Sequence, residues 1–419
     1  MTSTKSFEIS KHVVWEAYKR VKANKGAAGV DGESLTQFEL QLKRNLYKIW
    51  NRMSSGSYFP PPVKQVEIPK KNGGKRSLGI PTVSDRIAQM VVKLSIEPEI
   101  DKHFHPDSYG YRAGKSALDA IAVTRKRSWQ YDWVVEFDIK GAFDNINHTL
   151  LMKALKKHVK EDWQLLYLER WLTAAVEQQD GQQMPRTIGT PQGGVISPLL
   201  MNLFMHYTFD RWMEKYRPQN PFARYADDAV VHCRHQEEAE QLLKDISERL
   251  QACLLTMHPD KSKVIYCKDS NRQQDYSQTQ FTFLGFTFRS RVAISRAGNR
   301  FSSFLPAVSK EAINSIRKTI KGWRLHRQTF ATLEQLTLQY NAVLRGWWNY
   351  YGSFYKTEMR LLIDYLNQRL ACWARRKYKK LKCHKRQSFL WLSRVARKQP
   401  SLFFHWQLLS SNDRIMGAV

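Results

Sequence analysis

Two adjacent carboxylates, Asp227 and Asp228, lie between apolar segments in the sequence RYADDAVVHC. The flanking residues, 222–225 and 229–232, have the pattern of two short strands, so the pair is predicted to lie at a hairpin turn. Two carboxylates at close range repel each other, and ionising both is unfavourable without a cation. Mg²⁺ prefers carboxylate ligands together with the phosphate oxygens of a substrate. The pair therefore indicates a metal site for phosphate chemistry, and the alternative is an ordinary turn, where Asp is common.

A third carboxylate, Asp138, ends the apolar segment WVVEFDI, which has the character of a strand. Pairing of this strand with the predicted hairpin brings Asp138 beside Asp227 and Asp228. Three carboxylates that hold two Mg²⁺ ions form a site for phosphoryl transfer, in which one ion activates an attacking hydroxyl and the other stabilises the leaving oxygen. We therefore predict that Asp138, Asp227 and Asp228 are catalytic metal ligands.

Helical and strand-like segments that could position these carboxylates alternate over the first 300 residues. The sequence NGG at 72–74 predicts a tight turn between two strands of a hairpin. We predict helices over residues 8–24, 35–55, 84–99, 148–178 and 236–253, and strands over residues 63–68, 78–80, 133–139 and 281–288.

The chain is strongly basic, with 67 Lys and Arg residues against 38 Asp and Glu residues and a formal net charge of +29. A charge of this size indicates a polyanionic partner, and nucleic acid and an anionic membrane are the two candidates. A basic surface gathers nucleic acid, and an acidic island within it holds metals that act on phosphates. The combination is typical of a polymerase or a nuclease.

Membrane and secreted classes fit the sequence poorly. No apolar run of about 18 residues is present, so we expect no transmembrane helix. The N-terminal residues lack the apolar core of a signal peptide. The five cysteines form no CxxC pair and are odd in number, which favours a reducing compartment over a disulfide framework or a zinc site.

Residues 310–398 are helical in pattern and contain 21 Lys and Arg residues against four acids. The segment RRKYKKLKCHKR, residues 375–386, is the densest part, and a solvated helix face is its ordinary interpretation. The neighbouring Trp373, Tyr378 and Trp391 favour RNA contact instead, because bases stack on aromatic rings. We assign the segment GWWNYY, residues 346–351, to core packing. The predicted RNA-binding residues are Arg375, Arg376, Lys377, Lys379, Lys380 and Lys382.

Taken in order, the motifs resemble those of bacterial group II intron-encoded reverse transcriptases/maturases. The blocks that carry the resemblance are NKGAAGVDG (24–32), IPKKNGGKRSLGIPTVSDRIAQ (68–89), SYGYRAGKSALDAI (108–121), VVEFDIKGAFDNINH (134–148), GTPQGGVISPLLMNLFMH (189–206), RYADDAVV (224–231), LTMHPDKSKV (255–264), FTFLGFTF (281–288) and LRGWWNYYG (344–352).

The resemblance implies an α+β fold: a right-hand polymerase with fingers and an antiparallel palm sheet, followed by an α-helical thumb/maturase X domain. The implied bounds are residues 1–300 for fingers and palm, with an N-terminal extension at about 1–60. Residues 301–398 would form the basic thumb/X domain and residues 399–419 a short tail. Many family members carry a C-terminal HNH endonuclease domain with paired cysteines. The chain shows no such motif before Val419, so we expect no target cleavage by this chain itself.

The resemblance also implies roles for single residues. The backbone carbonyl of Ile139 would add a metal ligand. Lys70 and Arg76 match positions that hold the incoming triphosphate, and Gln192 matches a residue of the nucleotide pocket. Phe143 matches the steric gate, where a bulky ring excludes the 2′-hydroxyl. Core packing of Phe143 and solvated hairpin charges at Lys70 and Arg76 are the alternatives. Arg112 resembles a template-side residue, and Lys263 resembles a residue near the metals.

The implied function is RNA-directed DNA polymerisation with two Mg²⁺ ions and dNTP substrates, coupled to binding of group II intron RNA, its splicing and its retrohoming. The expected partners are intron RNA, an RNA template/DNA primer duplex and a DNA target, without a membrane, in a cytoplasmic, nucleoid- or RNP-associated location. The oligomeric state is left open. One alternative is a domesticated reverse transcriptase in phage defence, CRISPR adaptation or repair. Another is a catalytically silent RNA-binding splicing chaperone.

Overall fold

The computed structural model describes residues 6–69, 74–295 and 297–408. The described residues form two compact units. The first lies within residues 1–120 and 135–264, and the second lies within residues 121–134 and 265–419. The domain bounds predicted at residues 300 and 398 do not coincide with the limits of these units, and they stay a prediction.

Several of the described α-helices begin at side chains that cap them. Thr82 Oγ1 accepts the N–H of Asp85 at 3.1 Å, and Ser309 Oγ accepts the N–H of Ala312 at 3.1 Å, which satisfies donors that the first turn leaves free. The described helices are α1 (Lys11–Asn24), α2 (Leu35–Leu40), α3 (Leu42–Ser54), α4 (Val83–Asp101), α5 (Ala117–Ser128), α6 (His148–His158), α7 (Asp162–Thr173), α8 (Ser197–Met205), α9 (Arg211–Tyr216), α10 (Gln236–Ala252), α11 (Lys310–Gly322), α12 (Leu333–Tyr351), α13 (Arg360–Lys377) and α14 (Lys385–Lys398).

The strands form three sheets. They are β1 (Val63–Pro69), β2 (Lys75–Ile80), β3 (Trp133–Phe137), β4 (Val176–Glu177), β5 (Gln183–Met184), β6 (Phe222–Tyr225), β7 (Asp228–Cys233), β8 (Lys263–Tyr266), β9 (Phe281–Phe283), β10 (Phe286–Ile294) and β11 (Arg300–Val308). The strand orders are β2-β1-β4-β5, β6-β7-β3-β8 and β11-β10-β9. Helices and sheets therefore mix in the first 300 residues and helices follow, as the α+β prediction required.

The predicted hairpin near the N-terminus is confirmed. β1 and β2 pair antiparallel, with Ile68 opposite Arg76 and Pro69 opposite Lys75. Asn72 and Gly73 of the predicted turn lie outside the described residues, as does Lys70. The pairing places Arg76 near the turn end of the hairpin.

Two predicted helices are each divided in two. Residues 35–55 form α2 and α3, separated at Gln41 (φ −122°, ψ 37°). Residues 148–178 form α6 and α7, and the backbone is extended at Val159 (φ −95°, ψ 118°). The apolar periodicity continues across both breaks, so the pattern alone did not reveal them.

The single strand predicted over residues 281–288 is wrong in extent. Leu284 and Gly285 both have positive φ, 51° and 80°, and they turn the chain so that β9 pairs antiparallel with β10. Phe281 and Phe288 then stack across the pair, with ring centroids 4.6 Å apart. Gly285 was the signal of a turn, because glycine adopts positive φ at little cost.

The second unit has a continuous apolar core built from the faces of α11 to α14 and the segment 402–408. Trp347, Trp348 and Tyr351 of the GWWNYY segment pack against this core, which confirms their predicted structural role. Among the described residues, no helix is both long enough and apolar enough to cross a membrane.

Candidate active site

The acidic pair lies at a tight hairpin, as predicted. β6 and β7 pair antiparallel with Tyr225 opposite Asp228, and Ala226 and Asp227 form the two-residue loop. Ala226 has a left-handed backbone (φ 59°), which is uncommon outside glycine. The turn therefore presents two adjacent carboxylates at one end of the sheet.

Asp138 follows β3, the strand next to β7 in the same sheet. Its carbonyl accepts the N–H of His258 at 2.8 Å, and the N–H of Lys140 donates to Thr256 at 2.9 Å. Ile139 forms a β-bridge with Met257 between these two bonds. The backbone at Asp138 and Ile139 is thus fixed against residues 256–258, and a ligand role for the Ile139 carbonyl stays a prediction.

The three carboxylates influence one another electrostatically. Burial raises the pKa of Asp227, the negative charge of Asp138 adds to the rise, and Arg76 and Arg224 oppose it. Burial, followed by the charges of Asp227 and Asp138, raises the pKa of Asp228 from 3.8 to about 7. Asp228 is exposed by its accessible surface, yet enough protein surrounds its carboxyl group for desolvation to be the largest cause. The site thus concentrates negative charge, and a divalent cation would relieve it.

One lysine neutralises part of this charge. Lys261 Nζ lies 2.5 Å from Asp138 Oδ2, and Lys261 also lowers the pKa of Asp228. Among the residues that the structure describes, no group of three His, Cys, Asp or Glu side chains is arranged to hold a metal ion. The donor chemistry fits a divalent cation, but Asp138 must exchange its lysine partner to become a ligand.

The sequence pointed to Lys263 rather than Lys261. Lys263 is the exposed first residue of β8, whereas Lys261 ends a short 3₁₀ turn, Pro259–Lys261, and reaches Asp138. Both lysines belong to the PDKSK segment, so the segment was identified but the contacting residue was not. Only the folded position of residue 261 distinguishes them.

Two residues predicted to bind the nucleotide contact each other directly. Arg76 Nε donates to Gln192 Oε1 at 2.5 Å, and Gln192 Nε2 donates to Asp144 Oδ2 at 2.9 Å. Asp144 was not singled out in the sequence; its place one residue after Phe143 was the only signal. The hydrogen bonds from Arg76 to Gln192 and from Gln192 to Asp144 link β2, the PQGG loop (residues 191–194) and the turn that carries Phe143.

The PQGG loop packs closely against the backbone of β2 at Gly79. The N–H of Gly79 donates to the Gln192 carbonyl at 2.8 Å, and a Cβ on Gly193 (φ 122°) would lie 2.4 Å from the Gly79 carbonyl oxygen. The N–H of Thr190 donates to the carbonyl of Phe143 at 2.8 Å. Phe143 itself is 9% exposed, so its ring is nearly buried, and its gate role stays a prediction.

The template-side interpretation of Arg112 does not agree with its contacts. Its guanidinium donates to both carboxylate oxygens of Asp101, at 2.7 and 3.2 Å, and to the carbonyls of His105, Ser108 and Asp101. Because these internal partners occupy its donors, Arg112 stabilises the loop between α4 and α5.

The basic segment of the second unit divides into exposed and engaged side chains. Arg376, Lys379, Lys380 and Lys382 are exposed, and Arg375 is half-buried. Lys377 Nζ donates to the carbonyls of Thr329 and Ala331, both at 2.8 Å. RNA contact by these residues stays a prediction.

The interpretation of Trp373 as a stacking surface is wrong. Trp373 is fully buried, and its Nε1 donates to the carbonyl of Gln328 at 2.9 Å. Tyr378, by contrast, is 37% exposed and packs beside Trp391 with ring centroids 5.1 Å apart. Spacing alone does not separate a core tryptophan from a surface one.

Comparisons with known proteins identify two families that match the chain. The model of the family "Reverse transcriptase (RNA-dependent DNA polymerase)" matches residues 68–288, and that of the "Group II intron, maturase-specific domain" matches residues 313–391. Protein YkfC of Escherichia coli (strain K12) is 31% identical over 294 residues, which cover 61% of this chain and 77% of that protein.

Group II intron-encoded protein LtrA of Lactococcus lactis subsp. cremoris is 31% identical over 242 residues, covering 57% of this chain and 39% of the relative. The chain thus matches less than half the length of that protein. A solved telomerase from Candida albicans, in complex with a fragment of telomeric RNA, aligns with 89% of this chain and 67% of its own at 12% identity and a TM-score of 0.45. That likeness is too weak to support a functional conclusion.

The family match covers the hairpin with Arg76, the PQGG loop and all three carboxylates, and the second match covers most of α11 to α14. Members of the matching family generally use divalent metal ions. The chain belongs to the reverse transcriptase (RNA-dependent DNA polymerase) family, with that family's right-hand polymerase fold, and it carries a group II intron maturase-specific domain.

Proposed function

We propose that this chain is an RNA-directed DNA polymerase that also binds group II intron RNA and assists its splicing and retrohoming. The observation that carries the proposal is the placement of Asp227 and Asp228 at the turn beside the strand that Asp138 follows, within a chain of the reverse transcriptase family. Burial and the neighbouring carboxylates raise the pKa of both Asp227 and Asp228 there. The maturase-specific domain supports RNA binding by the second unit.

In this proposal the carboxylates hold two Mg²⁺ ions, which when bound activate the primer 3′-hydroxyl and stabilise charge on the leaving pyrophosphate. Asp227 and Asp228 provide ligands from a rigid turn. Asp138, which directly follows β3, would provide a further ligand in place of its pairing with Lys261. The ammonium of Lys261 would then offset part of the remaining negative charge.

The incoming dNTP lies beside Arg76 and Gln192 in this arrangement. Arg76 provides a guanidinium that can bind a triphosphate bidentately, as cationic groups do in other phosphoryl transfers. Lys70 is proposed to contribute a second positive charge. Gln192 fixes Arg76 in the free protein, and Phe143 beside Asp144 excludes a 2′-hydroxyl.

The proposed polymerase and splicing functions also imply the binding partners. We propose that phosphates of the intron RNA contact the basic residues Arg375, Arg376, Lys379, Lys380 and Lys382. The first unit would bind an RNA template/DNA primer duplex. A DNA target and primer source would complete retrohoming. The RNA would supply the splicing chemistry, and the protein would stabilise its folded form.

Primer extension on an RNA template with Mg²⁺ and dNTPs tests the proposal. We expect synthesis by the wild type and none by Asp227→Ala, while Asp227→Ala still assists intron splicing because the carboxylates act only in polymerisation. Asp275→Ala, which changes a carboxylate that is 93% exposed, is the matched control and should remain active. No synthesis by folded, RNA-binding wild type would favour a splicing chaperone. Synthesis without any effect on intron RNA would favour a domesticated enzyme.

A further inference from the structure

Arg224 is completely buried directly beneath the acidic turn, near the end of β6. Its Nε and Nη2 donate to the two carboxylate oxygens of Asp210 at 2.7 and 2.6 Å, forming a bidentate ion pair. Nη2 also donates to Ser108 Oγ at 2.8 Å, and Nη1 donates to Asn202 Oδ1 at 3.1 Å. A buried charge persists only when it is paired and hydrogen-bonded, and this guanidinium meets both conditions.

The remaining donor of Arg224 reaches the turn itself. Nη1 donates to the carbonyl of Ala226 at 2.8 Å. Ala226 has φ 59°, a left-handed conformation that disfavours residues with a Cβ. Such a conformation persists when its surroundings fix it. The guanidinium thus binds the strained residue that immediately precedes Asp227.

The backbone at Gly110 also packs against the turn. A Cβ placed on Gly110 would lie 2.5 Å from the Ala226 nitrogen, so the two segments touch without side chains between them. Asn202 Nδ2 donates to the Gly110 carbonyl at 2.7 Å. Asn202 therefore connects Gly110 and Arg224, and both of these residues contact Ala226.

The partners of Arg224 come from three separate segments. Ser108 is the first residue of the SYGYR segment, Asn202 lies on α8, and Asp210 ends a π-helical turn, His206–Asp210. π-Helical turns within α-helices are frequent at functional sites. The turn that bears the carboxylates is thereby tied to the helical layer of the same unit.

We propose that Arg224 is a positioning residue of the acidic site, whose guanidinium holds the Ala226 carbonyl and so fixes the left-handed turn that presents Asp227 and Asp228. This role rests on the proposed function, because it concerns metal binding at the same carboxylates. Mg²⁺ and Mn²⁺ sites demand well-defined ligand geometry, so loosening the turn weakens binding even though both carboxylates remain.

The test is Mn²⁺ binding to the full chain, measured by calorimetry, in the double variant R224Q/D210N. Removing both charges avoids leaving one buried and unpaired, which is far more destabilising than losing the pair. We expect Mn²⁺ affinity to fall by about 10- to 100-fold, as for loss of other groups that orient metal ligands, with RNA affinity unchanged. R217Q/D245N, which removes an ion pair between Arg217 and Asp245 away from the turn, is the control and should bind Mn²⁺ like the wild type.

A rescue separates positioning from general destabilisation. Adding A226G to R224Q/D210N should restore most of the Mn²⁺ affinity, because glycine adopts the left-handed conformation without support. Wild-type Mn²⁺ affinity in folded R224Q/D210N, or the absence of any gain from A226G, would overturn the proposal. If the double variant unfolds, Arg224→Lys is the second test, because it keeps the buried positive charge but loses the several donors of the guanidinium. Unchanged Mn²⁺ affinity in Arg224→Lys would also overturn the proposal. If the wild-type protein binds Mn²⁺ but synthesises no DNA, that result contradicts the proposed polymerase activity. It does not contradict the positioning role of Arg224, which is measured by Mn²⁺ affinity.

Discussion

The lysine that contacts the acidic site has two opposing effects on a cation. Lys261 offsets part of the negative charge of the three carboxylates. Its Nζ also forms an ion pair with Asp138 Oδ2 at 2.5 Å, and this pair competes with a cation for the same carboxylate. Its side chain is 56% exposed, so solvent screens the pair, and exposed pairs of this kind contribute about 1 kcal/mol or less. The competition between Lys261 and a metal ion for Asp138 is thus small in free energy. It nevertheless affects metal binding, because Asp138 is a predicted metal ligand.

We therefore expect Lys261→Gln to bind Mn²⁺ more tightly than the wild type, by up to about fivefold. The reason is that Asp138 no longer has to release an ammonium before it becomes a ligand. Calorimetric titration at constant ionic strength measures the change. Lys263→Gln removes the same charge from the exposed start of β8 and should have no such effect. Weaker binding by Lys261→Gln would show that charge compensation, rather than competition, dominates.

Phe143 is nearly buried next to Asp144, which is hydrogen-bonded to Gln192 and through it to Arg76. In the proposed function its ring forms a wall of the nucleotide pocket. Phe143→Ala should raise the kcat/KM for ribonucleotides relative to deoxyribonucleotides by about tenfold or more, the scale on which pocket shape discriminates. Phe143→Tyr keeps the bulk and should keep the selectivity. Steady-state incorporation of single nucleotides measures the ratio, and equal discrimination by Phe143→Ala would leave the ring a packing residue.

At the scale of elements, α4 holds the PQGG loop through a buried polar network. Gln89 Oε1 accepts the N–H groups of Val195 and Ile196 at 2.8 and 3.3 Å, and Gln89 Nε2 donates to Asp85 Oδ2 at 2.9 Å. Asp85 Oδ1 accepts from Tyr58 and Trp171 at 2.9 and 2.7 Å. The network fixes the end of the loop that carries Gln192.

Asp85 makes the stability of this network dependent on pH. Burial raises the pKa of Asp85 from 3.8 to about 6, although three hydrogen bonds oppose the rise. The folded state therefore holds a proton that the unfolded state has released between about pH 4 and 6. Stability from this group is fully present below pH 4 and is lost as pH rises through 6, a difference of about 3 kcal/mol.

We expect the unfolding free energy of the wild type, relative to Asp85→Asn, to fall by about 3 kcal/mol between pH 4 and 7. Comparing the two proteins cancels the titration of groups that they share. Urea unfolding at several pH values measures the difference. Asp180→Asn, in an exposed loop, is the control and should follow the wild type at every pH. Parallel curves for wild type and Asp85→Asn would contradict the raised pKa.

Short-range sequence patterns correctly predicted the strands and turns that are determined by neighbouring residues. Apolar runs, turn residues and strand alternation gave β1 with β2, β3, and the hairpin at Asp227. The breaks at Gln41 and Val159 were missed because an amphipathic pattern can continue from one helix into the next. The contact between Lys261 and Asp138 joins residues far apart in sequence, and the pairing of Arg224 with Asp210 depends on a π-helical turn. No spacing rule reports either contact.

At the scale of the whole molecule, the net charge of +29 raises the question of whether RNA binds a defined surface or the general positive field. The exposed basic segment of the second unit is one candidate surface. The exposed lysines of residues 153–160, on and just after α6, provide a comparable charge in the first unit. Net charge alone predicts equal effects from neutralising either group.

Neutralising Arg375, Arg376, Lys379 and Lys380 to Gln should weaken intron RNA binding and reduce its salt dependence. If all four contact phosphates of single-stranded RNA, the slope of log K against log salt falls by about 3, because fewer counterions are released. Binding measured at four or more salt concentrations gives the slope. The matched control changes Lys153, Lys156, Lys157 and Lys160 to Gln, which removes the same charge. Equal losses from both sets would contradict a defined RNA surface, because a general field depends on total charge and not on which residues carry it.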